Sequence, residues 1–166
     1  MTDLAREYSQ VDALHGGLPD FPRSFTGKGV LIGVIDTGFD FMHPAFRDAE
    51  GNSRIVHVWD QSGRNGNTPS MGYGVVFDTP ELIRSAAHDV SRDTHGTHVA
   101  AIAASSADVY KGMAPESDIV VVATDKSESG IIDALAYLLD YAEKEKKPIA
   151  INLSMGTVIG FKDGTD

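Results

Sequence analysis

Apolar residues along this chain fall into two kinds of pattern. Continuous, β-branched runs occur at "GVLIGVID" (29–36) and "SDIVVVAT" (117–124), and "IAINLSMG" (149–156) reads as a further strand. Runs of this kind predict strands buried on both faces, as in a parallel sheet. Helical spacing appears in "GIIDALAYLLDYAEKEKK" (130–147), where Ile131, Leu135, Leu138 and Leu139 recur on one face until Pro148 stops the helix. Residues 95–106 predict a second helix, rich in alanine, short of charge and therefore buried.

Weaker patterns fill the middle of the chain. "SRIVHVWDQ" (53–61) alternates and predicts a half-exposed strand. The turn-rich "GRNGNTPSMGYG" (63–74) follows, and "GVVFD" (74–78) is placed to return as the second strand of a hairpin. A short helix from about 80 to 87 is expected, with Asp78 as N-cap, Pro80 early in the helix and Glu81 three residues on in a capping-box pattern. Residues 1–28 are polar and have room for one short helix. Strand, helix, strand, helix, strand argues for an α/β fold, a parallel sheet flanked by helices.

The chain has 166 residues, one domain's worth, and 42% are hydrophobic, ordinary for a soluble globular protein. A formal net charge of -10 argues against a nucleic-acid partner. The short basic run Lys144, Lys146, Lys147 fits the last turn of a helix, where cations suit the dipole. There is no cysteine, so disulfides and thiolate metal sites are excluded. No apolar run approaches the roughly 20 residues of a membrane helix, and the first 20 residues lack a signal-peptide core. The expectation is no membrane partner, and a cytosolic chain or one whose targeting segment has been removed.

Three features sit at or just past strand ends, where open α/β sheets place ligands. Asp36 closes an apolar strand in "VIDTG", a costly position for a carboxylate without partners. His95 opens the alanine-rich helix in "DTHGTHVAAIAAS" (93–105), with Thr94 or Asp93 placed to cap it. The positive end of a helix favours neutral imidazole, the form a general base needs. Gly96 behind it would let another stretch of chain approach closely. The third is "NLSMG" (152–156), a strand ending in serine and glycine. Each alone has a bland reading: a turn aspartate held by backbone amides, a helix-start histidine, a strand terminus.

In combination they say more. "DTG" closing a buried strand, "HGTHVA" opening a helix, "GMAP" (112–115) and "INLSMG" follow in that order, and together resemble the subtilisin-like serine proteases, the subtilase family, over residues 29–156. The order Asp before His also suits that family's triad, which runs Asp, His, Ser. The resemblance implies that Asp36 orients His95 and stabilises its imidazolium, and that His95 takes the proton of a serine and later gives it to the leaving amine. It implies that Ser154, Met155 and Gly156 line the substrate cleft and pair with an extended polypeptide substrate. His98, one turn along, would be structural.

The nucleophile implied by the resemblance, in a "GTSMA"-type motif, and the oxyanion asparagine, near an "AAGN"-type stretch, do not occur in these residues. Ser154 matches the cleft strand, not the nucleophile motif. The chain therefore looks like the N-terminal part of a subtilase catalytic domain, with residues 1–28 an extension and about 50–92 an insertion carrying a hairpin. Its expected partners are the remaining C-terminal part of that domain or a second copy, through exposed apolar surface. Alone it is expected to be inactive. Ala45 follows His43–Pro44 where many relatives carry a calcium-binding aspartate, so neither cofactor nor metal is expected. The resemblance also points to the extracellular space or cell envelope.

Readings from other classes fare worse. A metal hydrolase would want H-E-x-x-H, whereas here Gly96 follows His95 and the second histidine is three residues on. A nucleotide-binding module would want G-x-G-x-x-G or a P-loop, and "GVIDTGFD" has neither. A protease-like pseudoenzyme that only binds peptides remains the alternative to a serine endopeptidase.

Overall fold

The computed structural model describes residues 2–17, 23–64, 66–91 and 93–156; the closing "GFKDGTD" lies outside them. Strands β1 (Leu31–Asp36), β2 (Ile55–Asp60), β3 (Val75–Phe77), β4 (Asp118–Ala123) and β5 (Ile149–Leu153) form one sheet in the order β3-β2-β4-β1-β5. β1 runs parallel to both β4 and β5, and β2 runs parallel to β4. β3 alone is antiparallel, returning beside β2 through Val58↔Phe77 and Asp60↔Val75. The sheet is therefore mixed, and the expected hairpin forms its far edge.

β2 departs from the half-exposed strand its alternation predicts. It is an interior strand with Ile55, His57, Val58, Trp59 and Asp60 all buried. Its polar members are buried because each finds a partner. His57 Nε2 lies 2.6 Å from the Tyr137 hydroxyl, and Asp60 Oδ1 accepts from the amides of Ser62 and Gly63. The next residue, Gln61, donates to the Gly130 carbonyl at 2.7 Å.

Helices cover both faces. α4 (His95–Ala104), α3 (Pro80–Ala86) and a 3-10 turn (Pro44–Phe46) share one apolar cluster with Val34, Val58, Ile119 and Val121. α5 (Glu128–Glu145) covers the other face, where Leu138 and Ala134 meet Leu31, Ile35, Trp59 and Val122. Successive strand residues thus feed opposite clusters, as the strand period of two requires. α5 carries the chain from β4 across β1 to β5, the crossover that a parallel neighbour needs.

Some helix ends differ from expectation. Thr79, not Asp78, is the N-cap of α3: its hydroxyl accepts from the Leu82 amide at 3.2 Å, and Pro80 takes the first helical position. α5 ends before the lysine run is complete. Lys144 lies in its last turn, Lys146 caps it in the left-handed conformation, and Lys147 beyond pairs with Asp118 at 2.6 Å. The N-terminal stretch holds two short helices, α1 (Thr2–Tyr8) and α2 (Val11–Gly16), rather than one. His15 Nε2 anchors it at 2.9 Å to the Met113 carbonyl. Among the described residues no helix is long and apolar enough to cross a membrane.

Candidate active site

β1 ends at Asp36, whose carbonyl still accepts from the Thr124 amide at the C-terminal end of β4. The chain then turns sharply through Thr37 and Gly38. Gly38 has φ +82, and a Cβ there would lie 2.5 Å from the Asp93 carbonyl group. Only glycine suits that position, because both the conformation and the space forbid a side chain.

α4 docks on this turn by its backbone. The Gly96 amide donates to the Thr37 carbonyl at 2.7 Å, and the Thr97 amide to the Gly38 carbonyl at 3.0 Å. Asp93 Oδ1 accepts from the amides of Thr94 (2.7 Å) and His95 (3.3 Å). Thr94 is the N-cap by position, but its side chain makes no capping bond. The free amides of a helix start are thus satisfied largely by the strand-end turn, which locks the helix to β1. Gly96 makes this possible: a Cβ there would sit 2.8 Å from the Thr37 carbonyl oxygen and from the Phe39 ring. The chain that approaches Gly96 is the protein's own turn.

The docking brings His95 to Asp36. His95 Nδ1 lies 2.9 Å from both Asp36 oxygens. The Asp36 side chain is 2% exposed and that of His95 is 49% exposed. Asp36 Oδ1 also accepts from the Thr37 amide at 2.7 Å. A carboxylate only accepts, so Nδ1 carries the proton. In the neutral ring Nε2 is then a lone-pair acceptor, on a ring half open to solvent.

A cleft of about 600 Å³ opens on this pair, and Asp36, His95, Ser154, Met155 and Gly156 all line it. The five residues singled out in the sequence are brought together. The Ser154 hydroxyl donates to Asn152 Oδ1 at 2.8 Å rather than to His95. Lys126 and Glu128, which the sequence patterns did not mark, add a wall together with Ile131, read in the sequence only as part of a helix's apolar face. They follow the C-terminal end of β4, the usual place for a site in an open α/β sheet. His98 is exposed and outside the cleft lining.

Two buried carboxyls lie behind the turn. Asp89 is 2% exposed and Asp60 4%. Burial pushes both up from the usual range, opposed by backbone amide bonds, and the charge of Asp89 raises Asp60 further. Among the described residues no three His, Asp or Glu side chains converge as a metal-ligand set. Ala45, after His43–Pro44, has its carbonyl occupied by Arg54 and Ser106.

The signature of the Subtilase family (Peptidase_S8) matches residues 27–166. This chain belongs to the subtilase family. It is 32% identical to the subtilisin-like protease PopC of Myxococcus xanthus over 139 residues, covering 78% of this chain and 25% of that protein. It is 30% identical to the serine protease AprX of Bacillus subtilis over 145 residues, covering 81% of this chain and 27% of that protein. The Clostridium perfringens CspB protease shares its fold with a TM-score of 0.67 and 31% identity, over 86% of this chain and 32% of that one. This subtilase chain thus spans about a quarter to a third of the relatives it matches.

Proposed function

We propose that Asp36 and His95 are the carboxylate and general base of a subtilisin-type serine endopeptidase. The nucleophilic serine and oxyanion asparagine would come from polypeptide other than these 166 residues. The observation that carries the reading is the double contact of His95 Nδ1 with buried Asp36, which leaves Nε2 as the acceptor. Kinship with serine proteases supports it.

The chemistry follows from that geometry. Nε2 takes the serine hydroxyl proton as the oxygen bonds to the scissile carbonyl carbon. Asp36 stabilises the imidazolium so formed. The same proton then passes to the departing amine, leaving an acyl-enzyme that water hydrolyses with His95 again as base. No step calls on a metal or cofactor. Ser154, Met155 and Gly156, just past β5, line the cleft, and in this reading their backbone pairs with an extended polypeptide substrate.

The 166-residue chain alone is predicted inert. In subtilisin, loss of the serine costs about 10⁶ in kcat. The test pairs this chain with an extended polypeptide that carries a downstream "GTS" serine. Casein cleavage and labelling by a fluorophosphonate probe are expected only in the extended form, and His95→Ala should abolish cleavage. An extended form that stays inert and unlabelled would leave a peptide-binding pseudoenzyme instead.

A further inference from the structure

We propose that Asp89 is a positioning residue for the Asp36–His95 pair, an inference that rests on the function proposed above. Past Asp36 the ladder with β4 is over, yet the chain stays buried: Gly38 is enclosed and Phe39 is 2% exposed. The amides of Gly38 and Phe39 therefore need partners that no strand supplies. Asp89 supplies both. Its Oδ2 accepts from Gly38 at 2.8 Å and its Oδ1 from Phe39 at 3.1 Å. Its own amide donates to the Phe39 carbonyl at 3.3 Å.

These bonds act on the pair through one residue, Gly38. The Gly38 amide is held by Asp89, and the Gly38 carbonyl accepts from the amide and hydroxyl of Thr97 in the first turn of α4. Thr97 Oγ1 also accepts from the Asp40 amide at 2.8 Å. Thr37, between Asp36 and Gly38, donates its amide to the Asp36 carboxylate and accepts at its carbonyl from the Gly96 amide. A shift of the turn would move Asp36 and the helix start against each other. A buried carboxylate bonding two amides of a tight turn resists such a shift better than a neutral acceptor. Asp89 spends its carboxylate on the Gly38 and Phe39 amides rather than on Asp36 or His95, so its effect is on geometry.

The experiment reads the His95 ring directly, by ¹⁵N NMR of the 166-residue chain at mildly alkaline pH. Wild type is expected to show the tautomer protonated at Nδ1, and Asp36→Asn defines the uncoupled limit. Asp89→Asn, which loses one acceptor oxygen, is expected to move the ring shifts at least halfway toward that limit while far-UV circular dichroism stays native. Asp89→Glu, which keeps the charge but displaces it by a methylene, is expected to move them less. In an active extended form Asp89→Asn is expected to lower kcat by roughly 10- to 100-fold with KM little changed, the scale of a small misplacement. Folded Asp89 variants with wild-type ring shifts would overturn the proposal. So would loss of the fold in both, which would make Asp89 a determinant of the fold only. A wild type without the Nδ1 tautomer would instead count against the proposed function.

Discussion

His95 Nδ1 sits 2.9 Å from each oxygen of Asp36, although the two residues are 59 positions apart. The contact is made by two elements whose backbones are stitched together, Thr37 to Gly96 and Gly38 to Thr97. Main-chain bonds between the strand-end turn and the helix start thus bring the pair together.

The pair sets the first prediction. In an extended, active form, Asp36→Asn keeps the shape but offers Nδ1 a donor amide, favouring the wrong tautomer. The expected loss in kcat is roughly 10⁴-fold, against about 10⁶-fold for His95→Ala. Combining the two is expected to cost little more than His95→Ala alone, because Asp36 acts through the ring. Steady-state kinetics on a chromogenic peptide checks this, and losses that multiply would mean the residues act separately.

The stitched backbone sets the second. At Gly96 the added methyl meets the Thr37 carbonyl oxygen and the Phe39 ring at 2.8 Å; at Gly38 it meets the Asp93 backbone at 2.5 Å with φ +82. Gly96→Ala is expected to destabilise by about 1–3 kcal/mol as an overpacked site. Gly38→Ala is expected to cost more, since strain in φ adds to the clash. Urea denaturation of both variants tests the order. Equal stability to wild type would show that the turn and α4 are not tightly docked.

Much of this was legible in the sequence, and the limits of legibility are physical. β1 and β4 declare themselves as unbroken apolar runs, β5 as a shorter run interrupted by Asn152, and Asp36 and His95 stand out at element ends. β2 reads as half-exposed because its polar residues look like a solvent face. His57 is satisfied by Tyr137, 80 positions on, and the adjacent Gln61 by Gly130, 69 positions on. No local window contains those partners. Asp89 has no pattern at all: its meaning lies in two amides 50 and 51 residues earlier. The cap of α3 failed more narrowly. Asp78 and Thr79 both qualify by type, and the choice rests on Pro80 taking the first helical position.

Arg54 was also invisible in sequence, and it sets the third prediction. It is 6% exposed, and its guanidinium donates to the carbonyls of Ser117 (2.8 Å), Ala45 (3.2 Å) and Ala104. It ties the start of β2 to the 3-10 turn, the end of α4 and the approach to β4. Arg54→Leu keeps bulk but strands the Ser117 and Ala104 carbonyls, while the Ala45 carbonyl keeps the amide and hydroxyl of Ser106; each one left unmade costs about 1–3 kcal/mol. A loss of about 2 kcal/mol or more is expected after partial relaxation. A chemical-denaturation midpoint close to wild type would show that water replaces the guanidinium without cost.

His57 sets the fourth, a dependence on pH. Burial lowers its pKa from 6.5 to about 4. The unfolded chain therefore binds the proton first, and stability falls as pH drops through the window from 6.5 toward 4. Between about pH 7.5 and about pH 5 the loss assigned to this ring is about 2 kcal/mol. Asp60 and Asp89, raised by burial, work the other way: their protonation favours the folded state as pH falls toward the carboxylate range. The comparison that isolates His57 is wild type against His57→Gln, which keeps a partner for Tyr137. The variant is expected to lose that increment of acid sensitivity, and parallel stability-pH curves would contradict the assignment.

The fifth concerns β5, which pairs with β1 on one side and with no strand on the other among the described residues. Ala150 and Leu153 are exposed on it, and a groove of about 410 Å³ beside it is lined by Ile32, Ile102, Met113 and Ile151. An open edge with apolar flanks is a template for another strand. We expect the chain in isolation to sediment as more than the 17.7 kDa monomer. Ala150→Lys, a charge on the open edge, is expected to return it to monomer without loss of helix signal. In an extended form the same substitution is expected to impair folding, because the added polypeptide and a second copy would compete for one edge. A wild-type chain that is monomeric in dilute buffer would show that this edge is protected by its own loops.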